Sequence, residues 1–208
     1  MADDALPPSW QAPPFAWDAA LAAAAQAGDQ RPTWAYTWPA GQRLASVLPS
    51  LVTLTGRRVV DLGCGKGLLG LWALEHGATV LFADASPHPL AWIEALLAAN
   101  PQHAPRARTA IHRWGAVLPG GPWELILGGD ILYRPECHAA LMTTIAISLH
   151  PHGQALLADP RSGLEEDLPH LAAAAGLTMH SQRHAAGFTL LRLEREEMAG
   201  ADGAAPAF

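Results

Sequence analysis

Short apolar runs, bounded by glycine, proline or charge, alternate along the chain with longer segments whose apolar residues recur at helical spacing. Arg58-Val59-Val60-Asp61-Leu62 reads as a short buried strand that runs at once into glycines. From Leu68 to His76 the apolar Leu69, Trp72 and Ala73 fall on one helical face, and Gly77 closes the helix. Thr79 to Ala83 is the second strand, and Pro87, tolerated in a first helical turn, opens a helix that runs to Asn100. Ala107 to His112 is a weaker strand, Glu124 to Gly128 a strong one, and Gln154 to Ala158 the next, with a helix over Cys137 to Leu149 between the last two. Leu164 to Ala175 reads as helix, stopped by Gly176. Leu177 to Arg183 and Phe188 to Leu193 read as a closing hairpin pair.

Repeated strand–helix units with near-continuous apolar strands predict an α/β fold, a parallel sheet covered on both faces. Such open sheets hold ligands at the carboxyl ends of their strands, near the point where strand order reverses. Outside these units lie an N-terminal arm and helix over 1–33 and a C-terminal tail over 196–208, leaving one domain over 34–195. Pro7, Pro8, Pro13 and Pro14 are too dense for helix or central strand, so the opening is an extended arm, followed by an Ala-rich helical run from Asp18. Ala199 to Phe208 is small, weakly patterned and expected to fray.

Composition narrows the function classes. Half of the 208 residues are hydrophobic and 15% are charged, which excludes a disordered chain or a long coiled coil. A net charge of −6 argues against a protein built to grip phosphate backbones, so no nucleic-acid partner is expected. Cys64 and Cys137 are too few for a disulfide scaffold, and Met1-Ala2-Asp3-Asp4 lacks the basic start of a signal peptide. With no apolar run of about 18 residues, no membrane span is expected and a cytoplasmic location is.

The chemistry concentrates after the first strand, in Asp61-Leu62-Gly63-Cys64-Gly65-Lys66-Gly67. A strand entering a tight glycine turn and then a helix brings backbone N–H groups close to a ligand. A dinucleotide fingerprint would need glycine at position 68, which is Leu68. A phosphate loop would need Ser or Thr after Lys66, where Gly67 stands. Asp84 ends the second strand about twenty residues on, where a carboxylate either accepts from two ribose hydroxyls or caps the next helix.

Val59 through Gly67 resembles the first motif of the class I S-adenosylmethionine-dependent methyltransferases, over a likeness that extends from about Trp34 to Leu193. The resemblance implies a Rossmann-like, doubly wound sheet of seven strands, mostly parallel with an antiparallel C-terminal hairpin strand, and S-adenosyl-L-methionine as cofactor. It implies that Gly63, Gly65 and Gly67 line the cofactor's amino-acid portion and that Asp84 holds the ribose. Asp61 either orients the loop or meets the ligand's amino group.

Gly129-Asp130-Ile131-Leu132-Tyr133, at the end of the strong strand, resembles the Asp-x-x-Tyr of the seven-strand protein-lysine methyltransferases. It lacks the Pro-Pro of the amino-methylating DNA and RNA enzymes. Trp38-Pro39-Ala40-Gly41-Gln42, a helix to about Leu48, and Ala158-Asp159-Pro160-Arg161 are similar to bacterial relatives of the electron-transfer-flavoprotein β-subunit lysine methyltransferases. The resemblance implies a protein substrate with a lysine acceptor. It places Asp130 and Tyr133 in catalysis, and Trp38, Trp114 and Asp130 at the cofactor. The segment from Trp34 to Trp38 carries aromatics at every second residue, which in an extended chain puts Trp34, Tyr36 and Trp38 on one side, with Trp34 covering the sheet edge. Where relatives carry Asp-Trp for adenine, this chain has Arg113-Trp114. Arginine cannot accept from the adenine amine, so either a backbone carbonyl holds it or the third strand is misaligned.

A lysine amine must lose its proton before it attacks, since its ordinary pKa is about 10.4. An aromatic, low-dielectric site favours that loss. Asp130 would draw in and orient the ammonium, and Tyr133 would form a cation–π wall. The ten histidines, among them His150-Pro151-His152, His180 and His184, form no cluster at ligand spacing, so no metal is expected. Cys64 owes its place to the glycine motif rather than to nucleophilic work. Arg161, after the fifth strand, either guides an acidic substrate face or caps a turn. Two other readings stand beside lysine methylation. One is a small-molecule N- or O-methyltransferase. The other is a catalytically silent cofactor-binding module, which Asp130 and Tyr133 together argue against.

Overall fold

The computed structural model describes residues 6–29, 32–162 and 167–196. Its strands are β1 (Arg58–Leu62), β2 (Thr79–Asp84), β3 (Ala107–Ile111), β4 (Trp123–Gly129), β5 (Leu149–Asp159), β6 (Leu177–His184) and β7 (Phe188–Arg195). They form one sheet in the order β3-β2-β1-β4-β5-β7-β6. β3, β2, β1, β4 and β5 run parallel, while β7 is antiparallel to both β5 and β6. This is the expected seven-stranded, doubly wound sheet with its antiparallel hairpin strand. Strand order reverses between β1 and β4, so the crevice outside their carboxyl ends is the place for a ligand.

Successive residues of a strand face opposite sides, and the apolar runs fill both. Val59, Phe82 and Leu125 pack with α2 (Pro39–Leu51), α3 (Leu68–Glu75) and α4 (Pro87–Ala99) on one face. Val60, Ile126 and Leu157 pack with α5 (His138–Ser148) and α6 (Leu168–Ala174) on the other. Every strand and helix read from the pattern is present within a few residues of its expected bounds. The start of the helix read from Leu164, the residues Met1 to Ala5, and the tail from Ala199 lie outside the described residues.

Two local readings need correction. His150, Pro151 and His152 do not form a turn ahead of a strand. Leu149 already pairs with Trp123, and pairing resumes only at Leu125 with Gln154, so the three residues bulge out of β5. The aromatics of 34–38 do not share a side either. Thr33–Ala35 is a single tight helical turn, which breaks the two-residue alternation. Trp34 turns inward, 7% exposed, while Tyr36 and Trp38 stand 57% and 45% exposed.

The proline-rich segment has no helix or strand up to α1 (Trp17–Gln26), as its prolines dictate. It is nonetheless fastened along α3 and α4. Trp10 is buried, stacks on His103 at 4.4 Å and donates from Nε1 to Glu75 at 3.2 Å. Gln11 and Asn100 exchange two hydrogen bonds of 2.8 and 2.9 Å.

Candidate active site

The loop between β1 and α3 needs glycine for conformational reasons. Gly63, Gly65 and Gly67 have φ of +65°, +50° and +79°, a region that L side chains rarely adopt. At Gly67 space is also lacking, since a Cβ would stand 2.2 Å from Ile93 Cδ1. At Gly63 it would meet Ile131 Cγ2 at 2.9 Å, from the loop after β4. The turn therefore bends sharply out of β1 and leaves bare backbone facing the crevice.

Two carboxylates set this loop. Asp61, buried in β1, accepts from Gly70 N–H at 2.8 Å and so ties the strand to the first turns of α3. Its burial pushes its pKa up to about 7, against the lowering effect of that hydrogen bond. Asp84, at the end of β2, accepts from Gly65 N–H at 3.1 Å through Oδ2 and from Ser86 N–H at 2.9 Å through Oδ1. Burial raises its pKa as well, and the backbone donors oppose this. Both carboxyl groups sit in a poorly solvated place that favours their neutral forms, and a cationic ligand beside them would favour the ionised ones. Burial also drives the Cys64 thiol well above its ordinary range, so it is not an activated nucleophile.

On the other side of the crevice, Asp130 follows β4 with φ +57°, the one described non-glycine residue at positive φ. Asn and Asp tolerate this conformation best after glycine. Its Oδ2 accepts from Gly41 N–H in the first turn of α2 at 2.7 Å, and its own N–H donates to Ala158 at 2.8 Å. Burial raises the pKa of Asp130, and the Gly41 donor lowers it. This contact requires the backbones to meet closely, since a Cβ on Gly129 would stand 2.6 Å from Gly41 Cα. Tyr133 is 53% exposed, and its hydroxyl lies 3.3 Å from Thr33 Oγ1 across the opening.

These groups surround one pocket of about 350 Å³. Asp61, Gly63, Gly65 and Asp84 line it from the β1 and β2 ends, and Trp38, Asp130 and Tyr133 line it from the segments before α2 and after β4. Gly67 is absent from the wall: it shapes the turn by packing on Ile93 and Phe82 rather than by facing the pocket. Arg113 and Trp114 also line the pocket, directly after a β3 that pairs in register with β2.

Trp34 is part of the wall rather than a sheet-edge cover. Its indole donates to Asp29 at 3.0 Å and stacks on His88, and its backbone backs Gly65. His112 was missed by sequence reasoning. It lines the pocket, burial lowers its pKa, and its Nε2 has no hydrogen-bond partner among the described residues. A lone histidine ending a weak strand gives no signal of this. Arg161 does not reach the pocket wall. It turns back on buried Asp159 with two side-chain bonds of 2.8 Å.

Among the described residues no group of three or more His, Cys, Asp or Glu could hold a metal ion. No described helix is long and apolar enough to cross a membrane.

Comparison with known proteins places the chain by family and fold. The profile of a family described as a methyltransferase domain matches residues 34–196. The EEF1A lysine methyltransferase 3 of Mus musculus is 34% identical over 60% of this chain and 54% of its own length. The electron transfer flavoprotein beta subunit lysine methyltransferase of Danio rerio is 33% identical over 65% and 53%. The histone-arginine methyltransferase METTL23 of Mus musculus is 28% identical over 53% and 46%. The chain thus spans about half the length of the curated relatives it matches. Among solved structures, a Burkholderia thailandensis 1,6-didemethyltoxoflavin-N1-methyltransferase with bound S-adenosylhomocysteine shares the fold. Its TM-score is 0.61 at 20% identity, over 90% of this chain and 93% of that one.

Proposed function

The chain belongs to the methyltransferase-domain family, whose methyl donor is S-adenosylmethionine, and from that premise we propose that its product is a methylated lysine side chain on another protein. The observation that carries the reading is the convergence of Asp130 and Tyr133 on the same pocket as the glycine turn and Asp84.

The residues present fit the donor. The bare backbone of Gly63 and Gly65 admits its amino-acid portion, and Asp61 and Asp84 offer negative charge to a ligand that carries an ammonium and a sulfonium. Asp84 keeps lone pairs that would serve ribose hydroxyls, and Trp114 would offer its ring to the adenine. Arg113 cannot accept from the adenine amine, so that hydrogen bond falls to a backbone carbonyl. When bound, the donor supplies a methyl group on a sulfonium, transferred in line to a nucleophile as the sulfur leaves as a neutral thioether. The chain's own work is to bind, orient and exclude water.

Asp130 draws the lysine ammonium inward and holds it. Trp38 and Tyr133 are exposed at the mouth, so it is the docked acceptor segment that would cover them, disfavour the charged amine and send its proton to solvent before attack. Tyr133 lies against the amine as a ring wall. Asp130 is fixed for this by the Gly41 N–H, which orients the carboxylate without neutralising it. The relatives named for lysine match this chain at 33–34% identity, and the one named for arginine at 28%. A reducing compartment, the cytoplasm, suits a chain whose two thiols are both free.

The test is transfer of a tritiated methyl group from S-adenosylmethionine into a cell lysate resolved on a gel. Labelled protein bands are expected. Label confined to small molecules would replace the reading with a small-molecule methyltransferase, and no label with a silent binding module.

A further inference from the structure

Beyond the pocket wall, the carboxyl edge of the sheet gathers cationic side chains in an otherwise acidic chain. Arg43 of α2 donates from Nη1 to the Gly187 carbonyl at 2.8 Å, and Arg183 of β6 donates from Nη2 to the same oxygen at 2.9 Å. The two guanidinium nitrogens therefore stand no farther apart than two hydrogen-bond lengths. Arg183 is held from its other side by Pro160 O at 3.2 Å and Thr189 Oγ1 at 3.4 Å. All of these acceptors are neutral. Among the described residues neither arginine forms an ion pair, whereas neighbouring Arg161 has its charge met by Asp159. Both Arg43 and Arg183 are exposed. Asp130 feels the Arg43 charge at a distance and offsets part of it, but the two guanidinium groups still share one neutral oxygen, and an anion placed between them relieves their mutual repulsion.

Their position ties them to the acceptor side of the pocket. Arg183 pairs in register with Thr189, and Thr189 with Asp159 at the end of β5. The preceding residue, Ala158, accepts from Asp130 N–H. Arg43 lies two residues beyond Gly41, which holds the Asp130 carboxylate. A group bound by the two arginines would thus sit beside a side chain that reaches Asp130.

We infer that Arg43 and Arg183 form a clamp for a carboxylate on the acceptor protein, an Asp or Glu close to the lysine that is methylated. Guanidinium forks match carboxylates in geometry and hold them through charge-assisted hydrogen bonds. A phosphoryl group offers the same fork chemistry, and a phosphorylated peptide in the test below separates the two. The inference rests on the lysine reading and deepens it by naming the class of sequence around the acceptor.

The experiment measures binding of fluorescein-labelled peptides to the full chain with S-adenosylhomocysteine present, so no turnover is needed. One peptide carries a central Lys flanked by Glu, a second has Gln for every Glu, and a third has phosphoserine. The Glu peptide is expected to bind at least about tenfold tighter than the Gln peptide. That preference is expected to vanish in the Arg43→Ala/Arg183→Ala double variant, while S-adenosylhomocysteine affinity is kept. Should the double variant fold poorly, Arg183→Gln alone is read in the same way. Equal binding of Glu and Gln peptides, no binding of either, or a Glu preference that survives in the variants overturns the clamp. Tighter binding of the phosphoserine peptide overturns the choice of a carboxylate. Loss of S-adenosylhomocysteine binding in the unmodified chain would instead strike the methyltransferase reading.

Discussion

The carboxylate of Asp130 accepts a 2.7 Å hydrogen bond from the backbone N–H of Gly41, a residue 89 positions earlier in the chain. One contact thereby joins a carboxylate of the pocket wall to the first turn of α2. The two roles of Asp130 are separable. Asn keeps the side-chain oxygen and tolerates φ +57°, but it brings no charge. Asp130→Asn is expected to retain stability and S-adenosylhomocysteine affinity within about threefold, and to lose transfer by roughly a hundredfold, the scale of removing one preorganised electrostatic contact. Asp130→Ala also strands the Gly41 N–H and should lower unfolding free energy by about 1–3 kcal/mol. Urea denaturation beside the transfer assay checks both.

Asp61 gives the cofactor site a pH dependence. Its folded-state pKa is raised to about 7 by burial, so folding favours the neutral acid. Its stabilising contribution is fully present below the ordinary carboxylate range and is lost as pH rises to 7. Asp84 shifts in the same direction. A cationic ligand favours the ionised form, so S-adenosylmethionine affinity should rise as Asp61 ionises between pH 5.5 and 7.5, by up to about tenfold per unit. Asp61→Asn should flatten part of that slope. Calorimetric titration at three pH values reads it, and a flat profile in the unmodified chain removes the assigned role.

Gly67 is needed for its backbone and for its missing side chain. Gly67→Ala combines a positive φ with a Cβ 2.2 Å from Ile93 Cδ1. It is expected to destabilise by about 2–4 kcal/mol. Ile93→Val removes that Cδ1 atom and should partly restore the Gly67→Ala variant, although alone it destabilises by about 1 kcal/mol. Thermal denaturation of the double variant decides the point.

The N-terminal arm is stitched to α3 and α4 by Trp10, whose ring is buried and whose Nε1 reaches Glu75. Trp10→Ala is expected to cost about 3 kcal/mol of stability. It should leave cofactor affinity per folded molecule unchanged, since Trp10 does not line the pocket. A variant as stable as the parent would show that the arm is dispensable and that the folded unit begins later.

The inner half of the pocket was readable from sequence because it depends on adjacent residues. The strand–glycine–helix order of Val59 to Leu69 dictates where bare backbone faces a ligand, and Asp84 follows one strand later. The outer half depends on contacts between distant segments. Nothing local in Gly41 announces that its N–H meets Asp130, or that it passes within van der Waals reach of Gly129. Alternation misled at Trp34 because it presumes an extended chain, and the tight turn of Thr33–Ala35 rotates the indole inward. The bulge at His150 to His152 escaped notice because its residues pair with nothing on β4. His112 carried no signal, since an unremarkable strand end becomes a pocket wall only through the sheet order.

The central claim is the chemical identity of the product. Tritiated S-adenosylmethionine is supplied with lysate to the unmodified chain and to Asp130→Asn, and the labelled proteins are hydrolysed to amino acids. The account predicts label that co-elutes with Nε-methylated lysine in the first sample and is lost in the second. Label in methylated arginine, or none in protein-derived amino acids, would contradict it.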